Sequence, residues 1–367
     1  MCGKMYNFTP LKPLFMSQLS ASAREAAMLL ERLIAIPSIS REEAKSADFI
    51  EDFLIKKGYK PRRHGHNIWL QSSLWRNDRP TLLLNAHIDT VKPVSGWVRD
   101  PFTPMLEGDC LYGLGSNDCG GGLVALLETF FALEASPQAA YNLVWLASCE
   151  EEVSGKGGIE SVIGLLPPID CAMVGEPTGM QPAIAEKGLM VLDVTAHGRS
   201  GHAARNEGDN AIYHAIDAIM WFRTYRFAKV SPLLGEVKMT TTIIQAGTQH
   251  NVVPDRCTFT VDVRSNECYQ NTELLDEIRQ NVQADVCPRS TRLNSSSISI
   301  DHPLIRRIIA LGGRPYGSPT LSDQALMPWS SLKMGPGDSA RSHTADEFIC
   351  LSEIDDAISR YCAILTD

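Results

Sequence analysis

The chain has 367 residues, 44% of them hydrophobic and 21% charged, with a formal net charge of -9. That balance belongs to a globular protein long enough for two cores. With no basic block and no apolar run near the roughly 20 residues of a membrane helix, nucleic acid and membrane are poor partners for it.

Residues 1–20, broken by Pro10, Lys12 and Pro13, lack the apolar core of a signal peptide and read as a loose extension, with Met16 as a second possible start. Leu29, Leu30, Leu33 and Ile34 recur at helical spacing before Pro37, which predicts a helix ending there. Ser40 with Glu43 reads as a capping box that opens a second helix, with Phe49, Ile50, Phe53 and Leu54 on one face and Gly58 at its close. Strands are expected near residues 67–71 and 80–86. A helix over 121–135 is apolar nearly all round and therefore buried. "NLVWLAS" from Asn142 and "CAMVG" from Cys171 are continuous apolar runs, as in strands covered on both faces. Strands alternating with helices predict an α/β layer architecture.

The pattern changes near Lys187. "LMVLDVTAHG" alternates like a half-buried strand, a helix follows over 210–227, and "MTTTIIQAG" and "RCTFTVDVR" read as two strands. A helix over 272–284 and a last strand at "SSSISI" complete the order β-α-β-β-α-β, the ferredoxin-like signature. The tail from Asp301 returns to longer helices, closing with an amphipathic one over 353–365, so this segment reads as an insertion. The ten cysteines form no CxxC pair and fit reduced thiols in a cytoplasmic protein.

In α/β sheets, ligands bind beyond the carboxyl ends of strands. Polar residues gather at those ends here. "NAHIDT" places His87 and Asp89 on one side of an extended chain. Asp118 follows "LYGLGSN", Glu150, Glu151 and Glu152 follow "NLVWLASC", Glu176 follows "CAMVG", and "GPGDSARSH" delivers His343. Taken singly, each has an ordinary explanation as a cap, a turn or a solvated loop. Together they pose a problem of charge, because adjacent carboxylates repel unless a cation neutralises them. Two histidines and several carboxylates suit zinc, cobalt or manganese, with donors enough for two ions sharing one carboxylate.

"HIDTV", "YGLGSNDCGGG", "EEEVSGKGG", "GEPT", "GRSGHAA", "NVVPD" and "GPGDSARSHTADEF" resemble, in order, the motifs of the two-zinc amidohydrolases. That group includes acetylornithine deacetylase, succinyl-diaminopimelate desuccinylase, aminoacylase and glutamate carboxypeptidase. The resemblance covers nearly the whole chain after about residue 25, and "RPTLLLNAHIDTV", "RDPF" and "LYGLGSND" look most like acetylornithine deacetylase. It implies a mixed-sheet α/β zinc-peptidase-like catalytic domain over 21–188 and 297–367, with an inserted α+β ferredoxin-like lid and dimerisation domain over 189–296.

It also implies site roles. His87, Asp118 and Glu176 would hold one divalent metal, and Asp118, Glu152 and His343 the other, with Zn2+ expected and Co2+ possible. Asp89 would orient His87 through its other ring nitrogen. Glu151 would be the general base; the alternative shifts both roles one residue back, to Glu150 as base and Glu151 as ligand. His202, in "GRSGHAA", would polarise the scissile carbonyl, in this family often from the partner subunit of a homodimer. Lys187, Asn251, Arg264 and Arg341 are the polar and cationic candidates for substrate. Cys119 and Gly120 stand where the family often has methionine and lysine, and are expected to affect packing more than ligation. Cys149 reads as structural. The implied reaction is hydrolysis of an N-acyl amino acid such as N-acetylornithine, or an N-acetyl or N-succinyl ornithine or citrulline, in arginine biosynthesis. The alternatives are a dipeptidase or carboxypeptidase on the same fold, or a binding protein that kept the fold without catalysis.

Overall fold

The computed structural model describes residues 17–205 and 207–366. The expected loose extension over 1–20 therefore falls, up to residue 16, outside the described residues. The chain divides into two compact units: Met1–Pro182 with Ile300–Pro315 and Trp329–Asp367, and Ala183–Ser299 with Tyr316–Pro328.

The first unit is organised by a mixed sheet. Its strands run in the order Arg62–His64, Asn67–Gln71, Asn142–Ser148, Thr81–His87, Cys171–Val174 and Ser330–Lys333. The first two join antiparallel, and the last four are parallel neighbours. Every residue of Thr81–His87 and of Asn142–Ser148 is buried, which explains why both read as unbroken apolar runs. Leu82, Leu83 and Leu84 are each fully enclosed, and burying such a side chain is worth about 1.5–3 kcal/mol. Helix Gly121–Leu133 packs on the strands 81–87 and 142–148 and against helices Ala21–Ile34 and Leu351–Leu365, so it is buried except at Phe131 and Ala132 near its end. Gly122 lets that helix start directly on the strand end: a Cβ there would lie 1.7 Å from the Gly175 carbonyl oxygen.

Helix Ala21–Ile34 is capped by Ser20, whose hydroxyl accepts the Ala23 amide at 3.1 Å. The second helix differs from expectation. It spans Ala44–Lys56 with Glu43 as its N-cap and no side-chain capping bond. Ser40 instead donates to the Asp89 carboxylate at 2.7 Å, while Glu43 accepts the amides of Arg41 and Glu150 at 2.7 and 3.1 Å. The capping-box pattern was real as a local pair of polar residues, but buried groups of the site outcompete the helix end for them. Gly58 closes this helix at a φ of +92°, as its sequence position predicts.

The second unit carries an antiparallel sheet in the order Lys238–Ala246, Arg256–Arg264, Met190–His197 and Asp285–Pro288. Met190, Leu192, Val194 and Ala196 alternate inward with Cys257, Phe259, Val261 and Val263. Helices Ala211–Thr224 and Asn271–Asn281 cover that face through Ala211, Ala215, Phe222, Leu274 and Ile278. The β-α-β-β-α-β order is present, but its fourth strand is Asp285–Pro288. The "SSSISI" segment expected there pairs elsewhere, Ser296–Ser297 lying against Ala183–Glu186. Val286 is the reason: in a short strand it is the buried residue that meets the unit's core, whereas the serines offer that face no apolar side chain.

Candidate metal centre

Parallel pairing brings the ends of four strands to one edge of the first unit. His87 lies opposite Ser148, and Asn85 and Lys333 both lie opposite Val174. The next residues along these strands lead to the Glu150–Glu152 run, Glu176 and the loop carrying His343. Asp118 arrives from the turn before helix 121–133.

His87 Nδ1 lies 2.8 Å from the Asp89 carbonyl oxygen. A carbonyl only accepts, so Nδ1 carries the proton, and in a neutral ring the Nε2 lone pair points the other way. It points at more acceptors: Asp118 Oδ1 at 3.2 Å and Glu176 Oε1 at 3.6 Å. On the other side, His343 Nε2 lies 2.9 Å from Glu152 Oε2 and 3.7 Å from Asp118 Oδ2. Asp118 thus offers one oxygen to each histidine.

The electrostatics have the same sense. Burial and the charge of Asp118 push the Glu176 carboxyl up to about 8, partly offset by His87 and the buried Lys333. The hydrogen bond to Glu152 raises His343 to about 9 against the opposing effect of burial. Burial also opposes a charge on His87, yet Cys119, Asp118 and Glu151 hold its pKa well above the ordinary histidine value. The cluster draws positive charge into itself. Glu176 Oε1 is buried without a hydrogen-bond partner among the described residues. An orphaned carboxylate oxygen facing an imidazole nitrogen is the arrangement a divalent cation satisfies, so the donor set fits metal. Donor atoms of His87, Asp118 and Glu152 lie within 4.8 Å of one another, as do those of His87, Cys119 and Glu176. The Cys119 thiol, expected to matter mainly for packing, therefore stands among the donors.

Asp89 acts differently from its expected part. The His87 ring is oriented mainly by the Asp89 carbonyl, with carboxylate Oδ1 farther away at 3.6 Å. The Asp89 carboxylate accepts the amides of Glu151 and Glu152 at 3.0 and 3.2 Å and the Ser40 hydroxyl. It fixes the acidic turn. Glu150, at a φ of +54°, folds back into the glycine loop, where its carboxylate accepts the Gly157 amide and fills the space a Cβ on Gly155 would need. Glu152, two residues on, is the member of the triplet that meets His343. The Cys149 thiol is buried and donates to the Gly157 carbonyl at 3.3 Å, with burial raising its pKa.

Two organising residues escaped the sequence reading. Glu347 is buried, and its carboxylate accepts the amides of Gly115, Asn117 and Asp118 at 2.8–3.0 Å. It sets the turn that aims Asp118. Asn117 bonds the Asp338 amide and carbonyl and the Ser342 hydroxyl, holding the loop that carries His343. The only signal for Glu347 was its place four residues after His343. Arg341 corrects an expectation: its guanidinium binds both oxygens of Glu353 at 2.7 and 3.1 Å and stacks on Phe348, so it braces the loop rather than standing free for substrate.

The remaining candidates belong to the second unit. His202 is exposed on a two-residue strand opposite Val252, with Nδ1 accepting the Ala204 amide at 3.1 Å. Asn251 is an exposed turn residue whose carbonyl accepts the Ala203 amide. Arg264 pairs with Asp262, and Lys187 Nζ donates to the Glu236 carbonyl. Burial and then the charges of Lys238 and Arg264 lower the Lys187 pKa, so these three cations lie near one another. Lys238 stands directly opposite Arg264 in the sheet.

Similarity to known proteins agrees with this chemistry. The chain is 26% identical to the succinyl-diaminopimelate desuccinylase of Corynebacterium glutamicum, covering 90% of this chain and 93% of that one. It is 27% identical to the acetylornithine deacetylase of Proteus mirabilis, over 89% and 92% of the two chains. In fold it is similar to the Bacillus subtilis YXEP protein, described as a dinuclear metal-binding peptidase of the M20 family, with a TM-score of 0.68, 16% identity and coverage of 94% and 97%. Residues 83–367 match the model of peptidase family M20/M25/M40. On that match the chain belongs to peptidase family M20/M25/M40 and is a metallo-hydrolase.

Proposed function

We propose that the protein hydrolyses the amide bond of an N-acyl amino acid, N-acetylornithine or a related N-acetyl or N-succinyl ornithine or citrulline, in arginine biosynthesis. The observation that carries the metal-dependent part is Asp118, with one oxygen toward His87 and Glu176 and the other toward His343 and Glu152. In this reading His87, Asp118 and Glu176 hold one divalent ion, and Asp118, Glu152 and His343 a second, Zn2+ before Co2+. Bound there, such ions would acidify a water and polarise the scissile carbonyl. Glu151 takes the proton of the attacking water and hands it to the leaving nitrogen. No serine or cysteine nucleophile is required. His202 donates to the developing oxyanion.

The substrate class is supported by the names of the two relatives, one acting on a succinyl and one on an acetyl amide. It is also supported by the grouping of Lys187, Lys238 and Arg264, which suits a carboxylate of the substrate, and Asn251 is a further polar contact in the proposal. A homodimer through the second unit is part of it. Among the described residues, strand Lys238–Ala246 pairs only with Arg256–Arg264, which leaves its other edge open, and Ile243 and Ile244 are exposed on it. Helix 211–224 adds exposed Tyr213, Ile216 and Met220 at helical spacing.

The test is a panel of N-acetylornithine, N-acetyl- and N-succinylcitrulline, succinyl-diaminopimelate and dipeptides, assayed with Zn2+ or Co2+ and after chelation. The expected result is turnover of an N-acyl amino acid that disappears with metal and returns on reconstitution. Full turnover in rigorously metal-free protein would remove the metal mechanism. Faster cleavage of dipeptides would make the enzyme a peptidase.

A further inference from the structure

Cys110 and Cys350 lie outside the candidate metal centre, on the small sheet formed by Met105–Glu107, Cys110–Tyr112 and Phe348–Cys350. They are direct partners across an antiparallel pair, and their sulfurs are 3.4 Å apart. The Leu351 amide bonds the Asp109 carbonyl at 2.9 Å and the Gly113 amide bonds the Glu347 carbonyl at 3.0 Å. Hydrogen-bonded and non-hydrogen-bonded pairs alternate along an antiparallel ladder. The cysteine pair, one step from the bonded 109/351 pair, is therefore a non-hydrogen-bonded one. Such pairs bring Cα atoms to about 4.5 Å, inside the window that a disulfide bridges without moving the backbone. Both thiols are half-buried, open enough for a small reagent to reach.

We propose that Cys110 and Cys350 are a thiol–disulfide exchange site whose oxidant is a low-molecular-weight disulfide, and that the bond formed braces the C-terminal segment. In the first step the Cys110 thiolate attacks one sulfur of the reagent. A mixed disulfide forms, the reagent's own S–S bond breaks, and one thiolate leaves and takes up a proton. Cys350 then gives up its proton and attacks Cys110 sulfur, releasing the second half of the reagent as a thiol. Two protein thiols are oxidised to one disulfide, and one reagent disulfide is reduced to two thiols.

The location gives the bond its consequence. The strand ending at Cys350 begins one residue after Glu347, and the strand starting at Cys110 leads into the turn of residues 115–118 that Glu347 holds. The Cys350 amide donates to Glu353, the partner of Arg341. A covalent tie here joins two segments 240 positions apart in the chain. Closing so long a loop restricts the unfolded chain, so the oxidised form should be the more stable one. None of this depends on the metal assignment or on the substrate.

The test uses the full-length protein treated with oxidised glutathione, then alkylated and mapped by mass spectrometry under non-reducing conditions. The exposed Cys287 serves as an internal control, since its glutathione adduct shows that the reagent acted. The expected result is a peptide pair joined through Cys110 and Cys350, a thermal midpoint raised by roughly 5 °C, and loss of both with dithiothreitol. Cys110→Ser and, separately, Cys350→Ser should abolish the cross-link and the shift while folding normally in reducing buffer. The proposal is overturned if Cys287 is modified while residues 110 and 350 remain free or carry separate adducts. It is equally overturned if the cross-link forms and the midpoint does not rise.

Discussion

His87 and His202 both sit on strands, yet their surroundings differ sharply. The His87 side chain is 1% exposed, its Nδ1 is fixed by a backbone carbonyl, and its Nε2 faces carboxylates. His202 is exposed, and its ring Nδ1 accepts an amide of its own turn, that of Ala204. The same holds around each. In the first unit the acidic groups are aimed by main-chain amides: three on Glu347, two on Asp89. In the second unit the polar candidates are tied to local neighbours such as Asp262 and the Glu236 carbonyl. A buried cluster held by backbone is set for its task before any ligand arrives. Exposed side chains in local turns need a ligand or a second subunit to give them one.

If that contrast is functional, the largest effects belong to the first unit. Glu151→Ala should lower turnover by about 10²–10⁴-fold, the scale of a lost general base, with two metals per chain still bound by elemental analysis. Glu152→Ala should instead lose metal, because Glu152 is the carboxylate beside His343. Retained metal in Glu152→Ala together with metal loss in Glu151→Ala would reverse the two roles.

His202→Ala comes next, and it probes the second unit. Loss of one oxyanion donor should cost roughly 10²–10³-fold in turnover, with metal content unchanged. If the histidine acts from a second copy, mixing His202→Ala with Glu151→Ala chains should restore part of the activity through hybrids having one intact site. Normal turnover in His202→Ala would mean that the exposed histidine has no part in the reaction. Subunit exchange without recovery would count against action in trans.

Glu347→Gln should act on metal rather than on chemistry. It keeps the shape but weakens the acceptor that holds the amides of residues 115, 117 and 118. Partners of this kind usually contribute 10–100-fold to metal affinity, so the expected change is a loss of about that size in a competition titration with a chelator. Unchanged affinity would show that the turn aims Asp118 without help.

Much of this was legible in the sequence because strand ends and chemistry coincide. His87, Asp118, Glu152, Glu176 and His343 each follow an apolar run or a glycine-rich loop, and parallel pairing gathers them. The ordering of elements in the second unit was legible for a similar reason: its strands alternate and its helices carry an apolar stripe. What could not be read was competition between partners. Ser40 had a local use as a helix cap and a distant one at Asp89, and the distant one prevails. Arg341 had charge suited to substrate, yet Glu353 and Phe348 take it. "SSSISI" looked like a strand of the insertion, but the core of that unit required Val286. Each case turns on a residue far away in sequence, which a pattern of neighbours does not contain.

Glu128 offers the mildest probe, a buried carboxylate of the first unit that no backbone amide of the described residues aims at a task. It lies on helix 121–133, 5% exposed, and its Oε1 has no hydrogen-bond partner among the described residues. Burial raises its pKa from 4.5 to about 7, with Glu25 adding to the rise and Lys57 opposing it. Because the folded value lies above the unfolded one, the folded chain binds more protons between those two pH values, and stability falls as pH rises through them. Below about pH 4.5 the carboxyl is neutral in both states and costs nothing by ionisation. Above about 7 the folded state carries a buried charge, at a cost on the order of 1–3 kcal/mol. Glu128→Gln keeps the shape and removes the titration. Its midpoint, measured against wild type with both proteins free of metal, should exceed wild type by several degrees at pH 8 and by clearly less at pH 5. An advantage equal at both pH values would show that packing, not ionisation, distinguishes the two side chains.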